Sequence, residues 1–227
     1  MTTPPVFIVG APRSGTSLLY RLLQFNDAFK LANCATSTGV ELTETRAFSN
    51  TERLLDPANK RVEAFLLEAR PALETFRRYA KQRQRNPFLP AAQMAQRAAT
   101  RFNAPVALRK AAWTAAGYAP IVRAFFDQAI QARGCRRLLE KTPQHIFFLP
   151  EIHNTYPDAK LVFVHRHPVH VLTSYRRRYH DSRRAEVPEH SLNWLRISKE
   201  RFSKRYRHYM TLALDFATLA PDRLHLL

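Results

Sequence analysis

An α/β fold, with a parallel sheet covered on both faces by helices, is the architecture this sequence predicts. Two observations carry the prediction. Short, nearly continuous apolar runs alternate with longer stretches of helical periodicity, the pattern of strands buried on both faces and joined by helical crossovers. The first of these runs, Val6-Phe7-Ile8-Val9, passes through the tight turn Gly10-Ala11-Pro12-Arg13-Ser14-Gly15 directly into a helical stretch, a strand–loop–helix unit. With 227 residues, 45% of them apolar, the chain has the size of one α/β domain built on one core.

Element by element, residues 5–9 read as a buried strand and residues 14–24 as a helix whose Leu18, Leu19, Leu22 and Leu23 form one apolar face. Residues 31–49, rich in Thr, Ser and Asn with the single glycine Gly39, read mostly as loop. Residues 51–102 are helix-like and break at Asn86-Pro87, which makes them an inserted helical cap within a single domain spanning 1–227. Residues 119–132 carry a helical apolar pattern ended by Gly134. A short strand follows at 137–141. Thr142-Pro143 then opens a helix, with a hydroxyl at the cap and proline at the first helical position. Residues 160–165 form a second apolar strand, and Pro168 starts a helix to about residue 179. Leu195, Phe202, Tyr206, Tyr209, Ala213 and Phe216 predict one amphipathic helix over 191–219, and residues 223–227 begin a last strand.

The first loop has the chemistry of an anion cradle. Backbone N–H groups at a helix start lack intrahelical partners, and the helix dipole adds roughly half a positive charge there. Gly15 lets the chain pass close to a ligand, while Ser14, Thr16 and Ser17 offer hydroxyl donors. The nucleotide-loop pattern G-x-x-x-x-G-K-[ST] is not met, because Thr16 stands where the lysine belongs; Arg13, inside the loop, is the substitute cation.

Thirty-six basic residues against 18 acidic ones give a net charge of +18, which calls for an anionic partner. Twenty-eight of the 36 are arginine, the residue best suited to bidentate recognition of phosphate or sulfate. No apolar stretch has the length of a membrane span, no secretory signal is visible, and Cys34 and Cys135 give neither a disulfide framework nor metal-type spacing. A protein of the cytoplasm, free of bound metal, is the expectation.

A second stretch, Lys160 to Val164 followed by His165-Arg166-His167-Pro168, ends an apolar strand on Arg166, with Ser174 eight residues on. Ligands of doubly wound sheets gather at the carboxyl ends of the strands, so Arg166 and the loop at Arg13 can face one crevice. Two anion sites in one crevice suggest a nucleotide phosphorylated at two positions. Together these residues resemble the sulfotransferases that use 3′-phosphoadenosine 5′-phosphosulfate (PAPS), in particular the branch shared by bacterial and tyrosylprotein-type enzymes. The resemblance covers most of the chain and implies a three-layer fold like that of the P-loop nucleotide hydrolases. It implies that Arg13, Ser14, Gly15, Thr16 and Ser17 grip the 5′-phosphosulfate and that Arg166 and Ser174 hold the 3′-phosphate. In the block Leu139-Glu140-Lys141-Thr142-Pro143, Lys141 would reach the bridging oxygen.

Sulfuryl transfer builds charge on the leaving phosphate oxygen, so fixed cations aimed there lower the barrier; Arg13 and Lys141 are the choices, and no metal is required. The acceptor, a hydroxyl or amine, needs a base within hydrogen-bond reach. Glu41 is the first choice, with Glu44 and His145 as alternatives. The basic run Arg176, Arg177, Arg178, Arg183 and Arg184 is either a solvated helix end or a surface for an acidic acceptor; nucleic acid is not an expected partner. His167 stands where relatives carry an acidic residue. Relatives also continue beyond the strand that begins at residue 223, so the resemblance implies a chain short at its C-terminus. The other reading is a noncatalytic module that holds a nucleotide or polyanion on the same fold. A magnesium-dependent phosphotransferase fits less well, since the loop lysine and a metal-binding carboxylate are both missing.

Overall fold

The computed structural model describes residues 3–26, 44–54, 56, 70–85, 89–101, 105–133 and 136–227. Cys34, Gly39, Glu41, the Asn86-Pro87 break, Gly134 and Cys135 lie outside these residues. Four strands, β1 (Val6–Gly10), β2 (Leu139–Lys141), β3 (Lys160–Val164) and β4 (Leu224–Leu226), form one sheet in the order β2-β1-β3-β4. Every pairing is parallel. The helices are α1 (Thr16–Leu23), α2 (Thr51–Leu54), α3 (Arg70–Gln84), α4 (Leu89–Arg101), α5 (Val106–Ala115), α6 (Tyr118–Arg133), α7 (Leu149–Thr155), α8 (Pro168–Arg184), α9 (Glu189–Leu192) and α10 (Lys199–Leu219).

Side chains alternate across a strand, and β1 shows why the domain has three layers. Phe7 and Val9 enter the large core with Phe126, Ile146, Ile152 and Phe216 of the helical side. Val6 and Ile8 point the other way and pack with Tyr20 of α1, Leu139 and Val164. Alternation also splits β2. Glu140 pairs in register with Phe7 and Lys141 with Ile8, so the carboxylate is sent into the large core and the ammonium to the face that α1 covers.

The large core is knit by rings. Phe7 meets Phe48 edge-on at 5.8 Å and Phe126 at 6.1 Å; Phe48 stacks on Trp113 at 5.6 Å. Phe48 thereby anchors the otherwise irregular residues 44–50 to the sheet.

Several sequence expectations need correction. Helix α1 does not bury Leu18 and Leu22, which are 64% and 56% exposed; its inward stripe is Thr16, Leu19, Tyr20 and Leu23. The glycine turn fixes the helix azimuth, and 16, 19, 20 and 23 are the positions that then meet the sheet. Thr142 makes no side-chain cap, and the segment after it, Pro143–Phe148, is a 3-10 helix that leads into α7. Its hydroxyl is taken by Glu140 instead, at 2.5 Å. The single helix expected over 191–219 is broken: α9 and a 3-10 turn at Asn193–Leu195 precede α10, which starts where the Ser198 hydroxyl accepts from Arg201 N–H. Helix α8 runs on to Arg184, and its last turn carries Arg183 and Arg184, where cations favour the dipole. Helix α5 was not anticipated. Within residues 51–102, α2, α3 and α4 are helical, as the periodicity there predicts. Among the described residues no helix is long and apolar enough to cross a membrane.

Helix α5 is tied to α7 through a buried ion pair. Arg109 Nε donates to Glu151 Oε1 at 2.9 Å and Nη2 to Oε2 at 2.7 Å, with both residues buried, and Arg109 also donates to the Phe147 carbonyl. Burial pushes the Glu151 carboxyl up, and the guanidinium opposes it. Removing one member leaves an uncompensated buried charge. Arg109→Ala is therefore expected to lower the unfolding free energy by about 3–5 kcal/mol in urea denaturation, and the double replacement Arg109→Met, Glu151→Leu by much less. A single-variant loss below about 1 kcal/mol would contradict this account.

Candidate functional site

The site forms where β1, β2 and β3 end. Gly10, the last residue of β1, has φ +149° and lies in register with Val164; a Cβ on it would come within 2.5 Å of the Val164 carbonyl oxygen. Only glycine lets the two strands close at this point, and the chain turns away immediately. Ser14 N–H closes the turn on the Ala11 carbonyl at 3.1 Å. Arg13 sits at φ 73°, a left-handed conformation unusual for a side chain of its size. Gly15, at φ 112°, caps α1, and its carbonyl accepts Leu18 and Leu19 N–H. The N–H groups of Thr16 and Ser17, which open α1, make no hydrogen bond among the described residues.

Side chains complete the cradle. Ser14 is buried, yet its Oγ has no hydrogen-bond partner among the described residues. Thr16 is buried beside it in sequence, and Ser17 is exposed. Arg13 is exposed and reaches across to α8, its Nε donating to Ser174 Oγ at 3.2 Å. The first loop and the second motif are thus in direct contact. Arg166, just beyond β3, is exposed, and its backbone carbonyl accepts from the Tyr206 hydroxyl of α10. Its guanidinium makes no hydrogen bond or ion pair among the described residues. Burial pushes the Tyr175 hydroxyl up to about 12, with Tyr209 adding to the rise and the charges of Arg205 and Arg13 opposing it. That neighbour of Ser174 stays neutral and packs in the core.

Lys141 ends β2 with only 5% of its side chain exposed, and its Nζ is 2.7 Å from Glu44 Oε1. The backbones are joined as well: Glu44 N–H donates to the Lys141 carbonyl at 2.6 Å. Glu44 and Arg46 are both at φ 54°, so this stretch holds two left-handed non-glycine residues in three. Glu44 is partly exposed and carries the pair to the surface of the crevice.

His145, an alternative base in the sequence, lies inside the core. It is fully buried, Nδ1 lies 3.0 Å from Glu140 Oε2, and Phe48 N–H points at Nε2 at 3.4 Å. With both ring nitrogens engaged inside the core, no lone pair faces the crevice. Glu41 lies outside the described residues. Sequence reasoning gave no role to Glu140; a carboxylate within the short strand expected at 137–141 is the signal that points to it. Arg176, Arg177, Arg178, Arg183 and Arg184 are exposed along α8, with a single long pairing of Arg177 to Asp181 at 3.8 Å. Among the described residues no group of three His, Cys, Asp or Glu is placed to hold a metal ion.

The family described as "Sulfotransferase family" has a model that matches residues 4–227. No curated protein and no solved structure matches the chain.

The unpartnered Ser14 hydroxyl separates binding from folding. Ser14→Ala is expected to leave the unfolding free energy undiminished, because no bond is lost and an unpaired buried hydroxyl is removed. Binding of pyrophosphate, followed by titration calorimetry, weakens. A fall in stability with unchanged pyrophosphate binding would show that the hydroxyl serves the fold.

Proposed function

The chain belongs to the sulfotransferase family, and on that premise we propose that it moves a sulfuryl group from PAPS to a hydroxyl or amine acceptor by in-line transfer. The observation that carries this reading is the convergence, at the carboxyl ends of adjacent strands, of an anion cradle containing the unpartnered Ser14 hydroxyl with the Lys141–Glu44 pair. The residues fit such a donor: the turn at Gly10 admits no Cβ, the buried Ser14 Oγ has no hydrogen-bond partner among the described residues, Arg13 is an exposed cation bonded to Ser174, and Arg166 is exposed just beyond β3. When bound, PAPS supplies the sulfuryl group, and adenosine 3′,5′-bisphosphate is the product left behind.

The chain's own contribution follows from charge. The α1 N–H groups with Ser14, Thr16, Ser17 and Arg13 hold the 5′ side of the nucleotide, and Arg166 with Ser174 holds the 3′-phosphate. Lys141, nearly buried, offers a fixed ammonium that stabilises charge developing on the leaving oxygen; one such donor is typically worth about 10²–10³ in rate. Glu44, 2.7 Å from the Lys141 ammonium, takes the proton of the acceptor. The exposed arginines of α8 favour an acceptor that carries negative charge, and the two cysteines without a pairing pattern suit a reducing cytoplasm.

Adenosine 3′,5′-bisphosphate is expected to raise the thermal midpoint of the protein, whereas unrelated polyanions have little effect. Lys141→Ala lowers release of the bisphosphate from PAPS, measured over a panel of hydroxyl acceptors, by about 10²–10³-fold. Arg166→Ala mainly weakens bisphosphate binding. Stabilisation by any polyanion and none by the bisphosphate would instead favour a noncatalytic anion-binding module; equal turnover in the parent and both variants would remove the enzyme assignment.

A further inference from the structure

Glu140 has no exposed surface, yet the transfer as proposed makes no use of it. Its carboxylate is held by three side chains. Thr45 Oγ1 and Thr142 Oγ1 donate to Oε1 at 2.6 and 2.5 Å, and the His145 ring meets Oε2 at 3.0 Å. Phe48 N–H addresses Nε2 of that ring, so the hydrogen is on Nδ1 and is donated to the carboxylate.

Each of the three donors accepts, in turn, one backbone N–H from the same short segment. Arg46 N–H donates to Thr142 Oγ1 at 3.4 Å, Ala47 N–H to Thr45 Oγ1 at 3.3 Å and Phe48 N–H to His145 Nε2 at 3.4 Å. Three successive amides of residues 46–48 are therefore bound, through a single layer of side chains, to one carboxylate on β2. The hydroxyls can donate to Glu140 and accept from the backbone at once, and the imidazole does the same with its two nitrogens. A charged acceptor strengthens each donation, and the buried setting makes a half-satisfied network costly.

The two residues at the edge of this network are the reacting pair of the proposed mechanism. Glu44 precedes Thr45, and Lys141 follows Glu140. Between them the segment takes up two left-handed conformations, at Glu44 and Arg46, which persist only where surrounding bonds over-determine them. We propose that Glu140 is a positioning residue: its carboxylate clamps residues 44–48 to the end of β2 and thereby sets the Glu44 carboxylate against the Lys141 ammonium. This inference rests on the assignment of Lys141 and Glu44 to the transfer, but the clamp has a readout of its own.

The test uses Glu140→Gln, which keeps the volume but loses the charge and sets an amide N–H against groups that donate, with Thr45→Val as a milder cut on the segment side. The ammonium resonance of Lys141, identified by its loss in Lys141→Arg, is followed by ¹⁵N-edited NMR in the full chain without nucleotide. Pairing with Glu44 slows exchange of these protons, so Glu44→Gln removes the signal, and Glu140→Gln and Thr45→Val remove or broaden it while circular dichroism stays that of the folded parent. A sharp, unshifted signal in both Glu140→Gln and Thr45→Val overturns the clamp. Release of bisphosphate from PAPS is expected to fall by about 10²-fold in Glu140→Gln, with bisphosphate affinity retained, since a displaced catalytic group costs turnover more than binding. In a Glu44→Gln background the same replacement adds no further loss. Equal losses in both backgrounds would make Glu140 a purely structural residue. Turnover that survives Glu44→Gln would end the assigned role of the pair and leave the clamp standing on the ammonium signal alone.

Discussion

The close packing of β1 against β3 at Gly10 is the constraint from which the site follows. With the Val164 carbonyl occupying the space a Cβ would need, the chain at the end of β1 must be glycine and must turn. The turn places Arg13 and Gly15 in left-handed conformations and starts α1 directly after Gly15. Because β3 is the partner strand, the residues after it, from Arg166 to the start of α8, are delivered to the same edge, and Arg13 closes the gap by bonding Ser174. Two loops far apart in sequence are brought together at one end of the sheet through a single strand pairing.

Alternation in the flanking strand β2 does comparable work with two charges. Glu140 and Lys141 are consecutive, so the pleat must send them to opposite faces. The carboxylate goes into the aromatic core and the ammonium goes toward α1 and the crevice. The core accepts the carboxylate because Thr45, Thr142 and His145 are already there to donate to it. Glu151, also fully buried, is handled differently, by a bidentate guanidinium. The contrast is physically sensible: an ion pair ties two helices together, whereas a set of neutral donors ties a strand to a loop and leaves the adjacent lysine to pair at the surface.

Much of the architecture was legible in the chain. Strands β1 and β3 appear where apolar runs of β-branched and aromatic residues stand, the composition that suits the centre of a parallel sheet, whereas β2 (Leu-Glu-Lys) and β4 (Leu-His-Leu) lie at its edges without such a run. The cradle was legible because glycine, hydroxyls and a helix start are local features. Less legible was the inward stripe of α1, since four leucines in six residues satisfy more than one helical azimuth, and only the turn at Gly15 decides which faces the sheet. The break within 191–219 was hidden for the same reason: apolar periodicity continues across Asn193–Leu195 although the backbone does not. Thr142 carried a sound capping signal, overridden by the stronger attraction of a buried carboxylate two residues away.

By itself the sequence determined the parallel α/β class and the glycine turn that leads β1 into α1 with Arg13 inside it, because each depends on residue type and short spacing. Tertiary structure decided which carboxylate meets Lys141, why His145 is withdrawn from the crevice, and that Glu140 binds the segment carrying Glu44. Those outcomes rest on contacts between residues nearly a hundred positions apart, brought together by the β1–β2 register and by Phe48 in the aromatic core. No local pattern encodes that distance, since hydrogen-bond partners inside a core are chosen by what the packed sheet places within reach.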